Sequence, residues 1–156
     1  MTRFKASKPR KANGKGRVAT KPRQRSYGAL KRELDRVFSI WTRRRFADAN
    51  GMARCVTCGS LKPWKELQCG HFVKRHHLAT RWHPLNCAPQ CPSCNVFMGG
   101  NYAAYAAWGV DRYGMSWPAD MVKLSKTTVK YSRADLEMMI VDYEQRIARL
   151  TGDPRE

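Results

Sequence analysis

The sequence predicts an α+β fold in which a small zinc-stapled core is bracketed by two amphipathic helices and preceded by a disordered basic arm. Three observations carry this expectation. Two Cys-x-x-Cys pairs, Cys55/Cys58 and Cys91/Cys94, stand in the middle of the chain; apolar residues recur at helical spacing on either side of them; and residues 1–25 hold ten of the 30 Lys and Arg and no Asp or Glu. At 156 residues the chain can form one domain with a proper core, here expected over residues 26–152, but not two large ones.

The arm comes first. Its Gly, Pro and Ser residues and its unopposed charge leave too little apolar surface to offset the entropy of ordering it, so residues 1–25 are expected to stay disordered. The whole chain has a formal charge of +18, and its remaining Lys and Arg still outnumber its 12 acidic residues once the arm is set aside. Such an excess marks a polyanionic partner, nucleic acid before an anionic membrane surface. No apolar run is long enough to span a bilayer, and the N-terminus lacks the apolar stretch of a signal peptide. A cytoplasmic protein with no membrane partner is expected, and in that compartment six cysteines point to metal ligands or free thiols over disulfides.

After the arm, Leu30, Leu34, Val37 and Trp41 recur at spacings of four, three and four with Phe38 alongside, which predicts a helix over residues 27–46. The other end repeats the pattern. Ser132 and Asp135 form a capping box, Leu136, Ile140, Tyr143, Ile147 and Leu150 make one apolar face, and Gly152 ends a helix predicted over 133–150. The two helices are expected to pack on each other, with a dimer seam along the second as the alternative. A shorter helix is predicted in "NYAAYAAWGVDRYG", stopping near Gly114; its aromatics, Tyr102, Tyr105, Trp108 and Tyr113, suit a core or the stacking of unpaired bases.

The two cysteine pairs are separated by residues 59–90 and together offer four thiolates, enough for one closed tetrahedral zinc site. A closed shell leaves no open coordination position, so this zinc would hold the fold and do no chemistry. Between the pairs lie all four histidines, His71, His76, His77 and His83, with Lys74, Arg75, Arg81 and Asn86 among them, and Asn95 follows the second pair directly. Asn is a poor zinc ligand but an acceptable one for a hard cation. Cys69 and Cys87 lack the paired spacing and are read as packed thiols. His76 and His77 follow two basic residues and are read as a solvated or phosphate-facing loop.

A His between the pairs, an Asn before the second pair and an Asn after it resemble the layout of an HNH nuclease, whose ββα-metal (His-Me finger) core would span about residues 52–101. The wider pattern "CVTCG", "CGHFVKR", "ATRWHPLNCAPQCPSCN" and "GGN" resembles the NinG (Rap) family of phage recombination endonucleases over roughly residues 26–150. That resemblance implies a metal-dependent, structure-specific endonuclease acting on branched recombination intermediates such as D-loops and Holliday-type junctions. Carried over by position, it implies zinc at Cys55, Cys58, Cys91 and Cys94, His71 as general base, Asn86 as the middle Asn of the catalytic set, and Asn95 as ligand of a catalytic Mg²⁺ or Mn²⁺. Lys74, Arg75, His76 and Arg81 are the expected DNA contacts. Where related sequences carry an Asp immediately or three residues before the His, this chain has Gly70 and Gln68. The second cation ligand is therefore left among His83, Asn86 and Asn101.

The chemistry matches these residue types. Phosphodiester hydrolysis needs a water nucleophile, a base for its proton, and positive charge at the phosphate oxygens. A His can be neutral near pH 7 and take that proton. Other functions remain open on the sequence: a zinc-stapled nucleic-acid-binding module without catalysis, and a site-specific HNH endonuclease of homing or packaging type. Candidate partners are branched DNA, a second copy of the chain, and phage or host recombination proteins.

Overall fold

The computed structural model describes residues 24–150. The predicted arm therefore lies outside the described residues except for Gln24 and Arg25, and so does the expected helix stop at Gly152. Arg25 is held against the C-terminal helix, its carbonyl accepting from Arg133 and its guanidinium 3.9 Å from Glu137. The architecture is α+β, with five helices and two small antiparallel sheets among the described residues. None of these helices is long and apolar enough to cross a membrane.

Helix α1 runs Tyr27–Arg44, capped by Ser26, whose hydroxyl accepts from the Ala29 amide at 3.2 Å. It stops two residues short of the prediction, at Arg45, whose amide still donates to Trp41 O and whose guanidinium donates to the carbonyls of Pro84 and Cys87. The C-terminal helix, α5, runs Arg133–Leu150 and starts at the expected capping box: the Ser132 amide donates to Asp135 and the Asp135 amide to the Ser132 hydroxyl. Leu30, Leu34, Val37, Phe38 and Trp41 of α1 and Leu136, Ile140 and Tyr143 of α5 form one buried cluster with Trp82 and Cys87. Burying a large apolar side chain is worth roughly 1.5–3 kcal/mol, so the two apolar faces satisfy each other within the chain. Of the face expected to serve as core or dimer seam, Leu136, Ile140 and Tyr143 are buried in this core and Ile147 packs against it, while Leu150 is 44 % exposed.

Between these helices lie two hairpins. Strands β1 (Met52–Arg54) and β2 (Leu61–Pro63) pair antiparallel, and the first cysteine pair sits in the turn that joins them. Strands β3 (Gln68–His71) and β4 (Cys87–Gln90) pair in the register Gln68 to Gln90 and His71 to Cys87. The intervening segment carries the one-turn helix α2 (Leu78–Arg81) and a tight turn at Pro84–Asn86. After β4 the chain passes through Cys91 into a wide turn at Ser93–Phe97, then Gly99 and Gly100, before helix α3 (Tyr102–Tyr113), which stops at Gly114 as expected.

Helix α4 (Trp117–Ser125) is not foreshadowed by the periodicity, because it buries only Trp117 and Met121. Its Pro118 lies in the first turn, where the missing N–H has no intrahelical partner to lose. Trp117 lies so close to Gly109 of α3 that a β-carbon there would come within 1.9 Å of the indole. With Phe72, Val73, Ala88 and Tyr105, the α4 residues form a second core beneath the β3–β4 hairpin.

Candidate metal centre and cleft

The sulfur atoms of Cys55, Cys58, Cys91 and Cys94 all lie within 4.8 Å of one another. Four thiolates about 2.3 Å from one tetrahedral ion are spaced about 3.8 Å apart, and Cys58 Sγ lies 3.8 Å from Cys91 Sγ. Thr57 Oγ1 stands 3.2 Å from Cys55 Sγ, Ser60 Oγ 3.2 Å from Cys58 Sγ, and the Cys94 amide donates to Cys91 Sγ. Asn101 Nδ2 approaches Cys94 Sγ at 3.9 Å. Burial raises the Cys55 thiol, but the Thr57 hydroxyl and backbone amides outweigh it and bring the pKa down to about 6. At Cys94 the Thr57 hydroxyl acts downward, while burial and the Cys91 and Cys58 sulfurs push the thiol up to about 11. Four sulfurs this close cannot all ionise unaided, and a divalent cation relieves that conflict. The cluster can hold a structural metal such as zinc, and it ties the turn of the first hairpin to the end of the second.

Beside this centre is a cleft of about 490 Å³ lined by His71, Lys74, Arg75, His76 and Asn95, together with Cys69, Gly99 and Gly100. Residues spread between positions 69 and 100 meet there because β3 delivers His71, the following loop delivers Lys74 to His76, and the turn after Cys94 delivers Asn95. A second cleft of about 370 Å³ shares Cys69, His71 and Arg75 and extends toward Asp35 and Arg43 of α1. A larger one, about 540 Å³, lies against Phe46, Leu61, Trp108 and Arg112 and contains none of the expected catalytic residues.

The His71 ring is flanked by two carbonyls, with Nδ1 3.2 Å from Cys69 O and Nε2 3.0 Å from Arg81 O. A neutral imidazole can donate to only one of them, so its other nitrogen turns a lone pair toward an oxygen. Burial lowers the His71 pKa below its ordinary value, with the Arg81 and Cys69 carbonyls and Asp35 acting against the shift. The ring is thereby kept neutral near pH 7, yet gains a second hydrogen bond when it takes up a proton. Asn95 donates through Nδ2 to Gln68 Oε1 at 2.7 Å. Gln68 stands where an Asp was sought, and this pairing fixes the Asn95 amide plane.

Other expected site residues occupy different positions. Asn86, expected in the catalytic set, is fully buried; its Oδ1 accepts from the Val73 amide and its Nδ2 donates to Val73 O and Thr80 O. It clasps the loop after His71 and does not line the cleft. Arg81, expected at phosphate, makes a two-pronged ion pair with Asp35 at 2.9 and 2.6 Å and donates to Arg75 O. With its side chain 13 % exposed, Arg81 is an anchor between α2 and α1, and Trp82 Nε1 shares the same carboxylate. His83 accepts the Leu85 amide at 3.3 Å, capping the Pro84–Asn86 turn, and is absent from the residues lining the cleft. Asn101 serves the sulfur cluster. The half-buried Tyr113 and Trp108 and the buried Tyr105 pack in the second core, while Tyr102 is 56 % exposed.

Two relationships escaped the sequence reading. Cys69 and Cys87, read as separate packed thiols, meet His71, their ligand atoms all within 4.8 Å of one another. The signal was the strand period of two, which puts Cys69 and His71 on one face of β3. The other is Gln90, fully buried, which donates to Gly100 O at 2.7 Å while its side chain lies across Gly70. An Asp at position 70 would collide with it unless Gln90 moved.

No curated protein and no solved structure matches the chain. A family model described as Bacteriophage Lambda NinG protein matches residues 2–153, a span that takes in the basic arm left outside the motif resemblance. The chain belongs to the NinG family.

Proposed function

We propose that the cleft is the active site of an HNH-type endonuclease that hydrolyses a phosphodiester in branched DNA. The observation that carries this reading is the convergence of His71, Asn95 and the basic loop Lys74–His76 on one cleft beside a four-cysteine centre. Membership of the NinG family supports it, as does the charge of +18.

In this reading Arg75 and Lys74 hold the phosphate, Arg75 by paired N–H donors and Lys74 as a point charge. His71, neutral because it is buried, turns its unprotonated ring nitrogen from the neighbouring carbonyl toward the cleft and accepts the proton of a water whose oxygen forms the new bond to phosphorus, as a P–O ester bond breaks and the departing sugar oxygen takes a proton from solvent. Asn86 acts one step removed, keeping the loop from Val73 to Thr80 in register so that the basic side chains face the cleft. Asn95 Oδ1, left free by the Nδ2 bond to Gln68, would hold a Mg²⁺ or Mn²⁺, which when bound polarises the scissile phosphate. The cleft lining includes no carboxylate among the described residues, so such a cation would be held largely by water and by the phosphate itself.

That same lack of a carboxylate favours a second reading, a zinc-stapled module that binds DNA without cutting it. Incubation with Mg²⁺ or Mn²⁺ and linear duplex, single-stranded, D-loop and four-way-junction DNA separates the two. Cleavage of the branched substrates supports the endonuclease; binding with no cleavage of any substrate supports the module; and cleavage of one linear sequence points to a site-specific enzyme.

A further inference from the structure

Three consecutive large apolar residues project from the rim of the cleft: Val96, Phe97 and Met98 are 58 %, 84 % and 57 % exposed. They form the outer part of a segment whose two ends, Asn95 and Gly99–Gly100, line the cleft itself. The segment is braced. The Met98 amide donates to Ser93 O and the Gly100 amide to Cys94 O, both at 2.9 Å, while the buried Gln90 grips Gly100 O. Gly99, Gly100 and Asn101 take left-handed backbone conformations, at φ +59°, +98° and +46°, which turn the chain sharply back into α3. Just beyond, the exposed Tyr102 ring stacks on Phe72 at 4.7 Å.

An exposed phenylalanine held on a rigid turn has no role in this core. Its surroundings point to an occupant: Phe97 does not line the cleft, but Asn95 and Gly99–Gly100, which flank its segment, share the cleft with Lys74, Arg75 and His76, so a partner lying along this rim meets positive charge beside the apolar ring. A nucleobase next to its phosphates suits both. We propose that Val96–Met98 is a wedge that enters the base stack at a DNA branch, with Phe97 stacking on the base left unpaired there. This rests on the reading of the cleft as a DNA site and adds the basis of its selectivity. A continuous duplex must be unstacked before the wedge can enter, whereas a branch point already has the gap.

The test uses the full chain without added Mg²⁺ or Mn²⁺, a four-way junction and a linear duplex of matched sequence, each with 2-aminopurine at the corresponding position. The parent is expected to bind the junction more tightly than the duplex and to change the fluorescence only at the branch. Phe97→Ala should weaken junction binding by roughly 5- to 150-fold, the worth of one base–aromatic stack. It should also abolish the fluorescence change, leaving duplex affinity and metal content unaltered; Phe97→Trp should restore both signals. Equal affinities of parent and Phe97→Ala for the junction, or equal losses on junction and duplex, would overturn the wedge while leaving the cleft reading intact. A parent that binds neither DNA overturns both.

Discussion

The side chain of Gln90 lies across Gly70 so closely that a β-carbon at position 70 would come within 2.1 Å of Gln90 Oε1. Gln90 is fully buried and bonded to Gly100, so it cannot swing away at low cost. Gly70→Ala is expected to destabilise the fold by about 1–3 kcal/mol, as overpacking of a filled core does. Combined with Gln90→Ala, the loss should be smaller than the sum of the two single losses by at least about 0.5 kcal/mol. Denaturant midpoints of the four proteins measure this; strict additivity would mean that the two residues do not compete for space.

Arg81 and Arg75 should separate cleanly. Arg81→Ala removes the partner of Asp35 and should cost about 1.5–3 kcal/mol of stability, the range for hydrogen bonds to charged groups, with only a small direct effect on DNA affinity. Arg75→Ala should leave stability within about 0.5 kcal/mol, as at most exposed positions, and flatten the salt dependence of duplex binding by about one phosphate, roughly 0.9 in the log–log slope. Thermal denaturation and salt titrations read the two effects, and an exchange of the two phenotypes would contradict the geometry.

The pairing of Arg81 with Asp35 also marks the limit of what could be read in the sequence. The cysteine pairs, the capping box at Ser132 and Asp135, and the apolar faces of α1 and α5 were legible because each is a local pattern with a fixed spacing. A basic residue in a histidine-rich loop reads as a phosphate contact until its carboxylate, 46 positions away, is brought to it by folding. The crossing of Gly70 by Gln90 and the meeting of Cys87 with His71 depend on the β3–β4 register, and the burial of Asn86 on the fold of the loop before β4, although the period of two in β3 already sets Cys69 and His71 on one face. Helix α4 buries too few residues to leave a periodic trace.

Cys91→Ser and Cys58→Ser should each lose bound metal and cooperative unfolding, because structural zinc is worth on the order of 10–16 kcal/mol of apparent binding energy in small domains. A chelator should have the same effect on the parent. Elemental analysis paired with thermal denaturation is the check, and folded protein free of zinc would rule out the structural role.

The pH dependence follows from His71, whose pKa burial holds below the ordinary 6.5. Between that lowered value and 6.5 the unfolded chain binds more protons at this residue than the folded one, so its contribution makes stability rise with pH there and level off above 6.5. Cleavage that uses neutral His71 as base should follow the same direction, flat above pH 6.5 and falling on acidification below the folded-state pKa. A rate profile still falling with acid after His71→Gln, at the parental midpoint, would assign that titration to another group.

In the proposed hydrolysis of a phosphodiester in the cleft, His71 takes the proton of the attacking water. The most direct measurement is the single-turnover rate of a four-way junction with Mg²⁺ or Mn²⁺, for the parent and for His71→Ala, alongside zinc content and junction affinity for both. The variant is expected to keep parental zinc and affinity with cleavage slowed by about 10²–10⁴-fold, the usual worth of a positioned base. Cleavage by His71→Ala at the parental rate would contradict it.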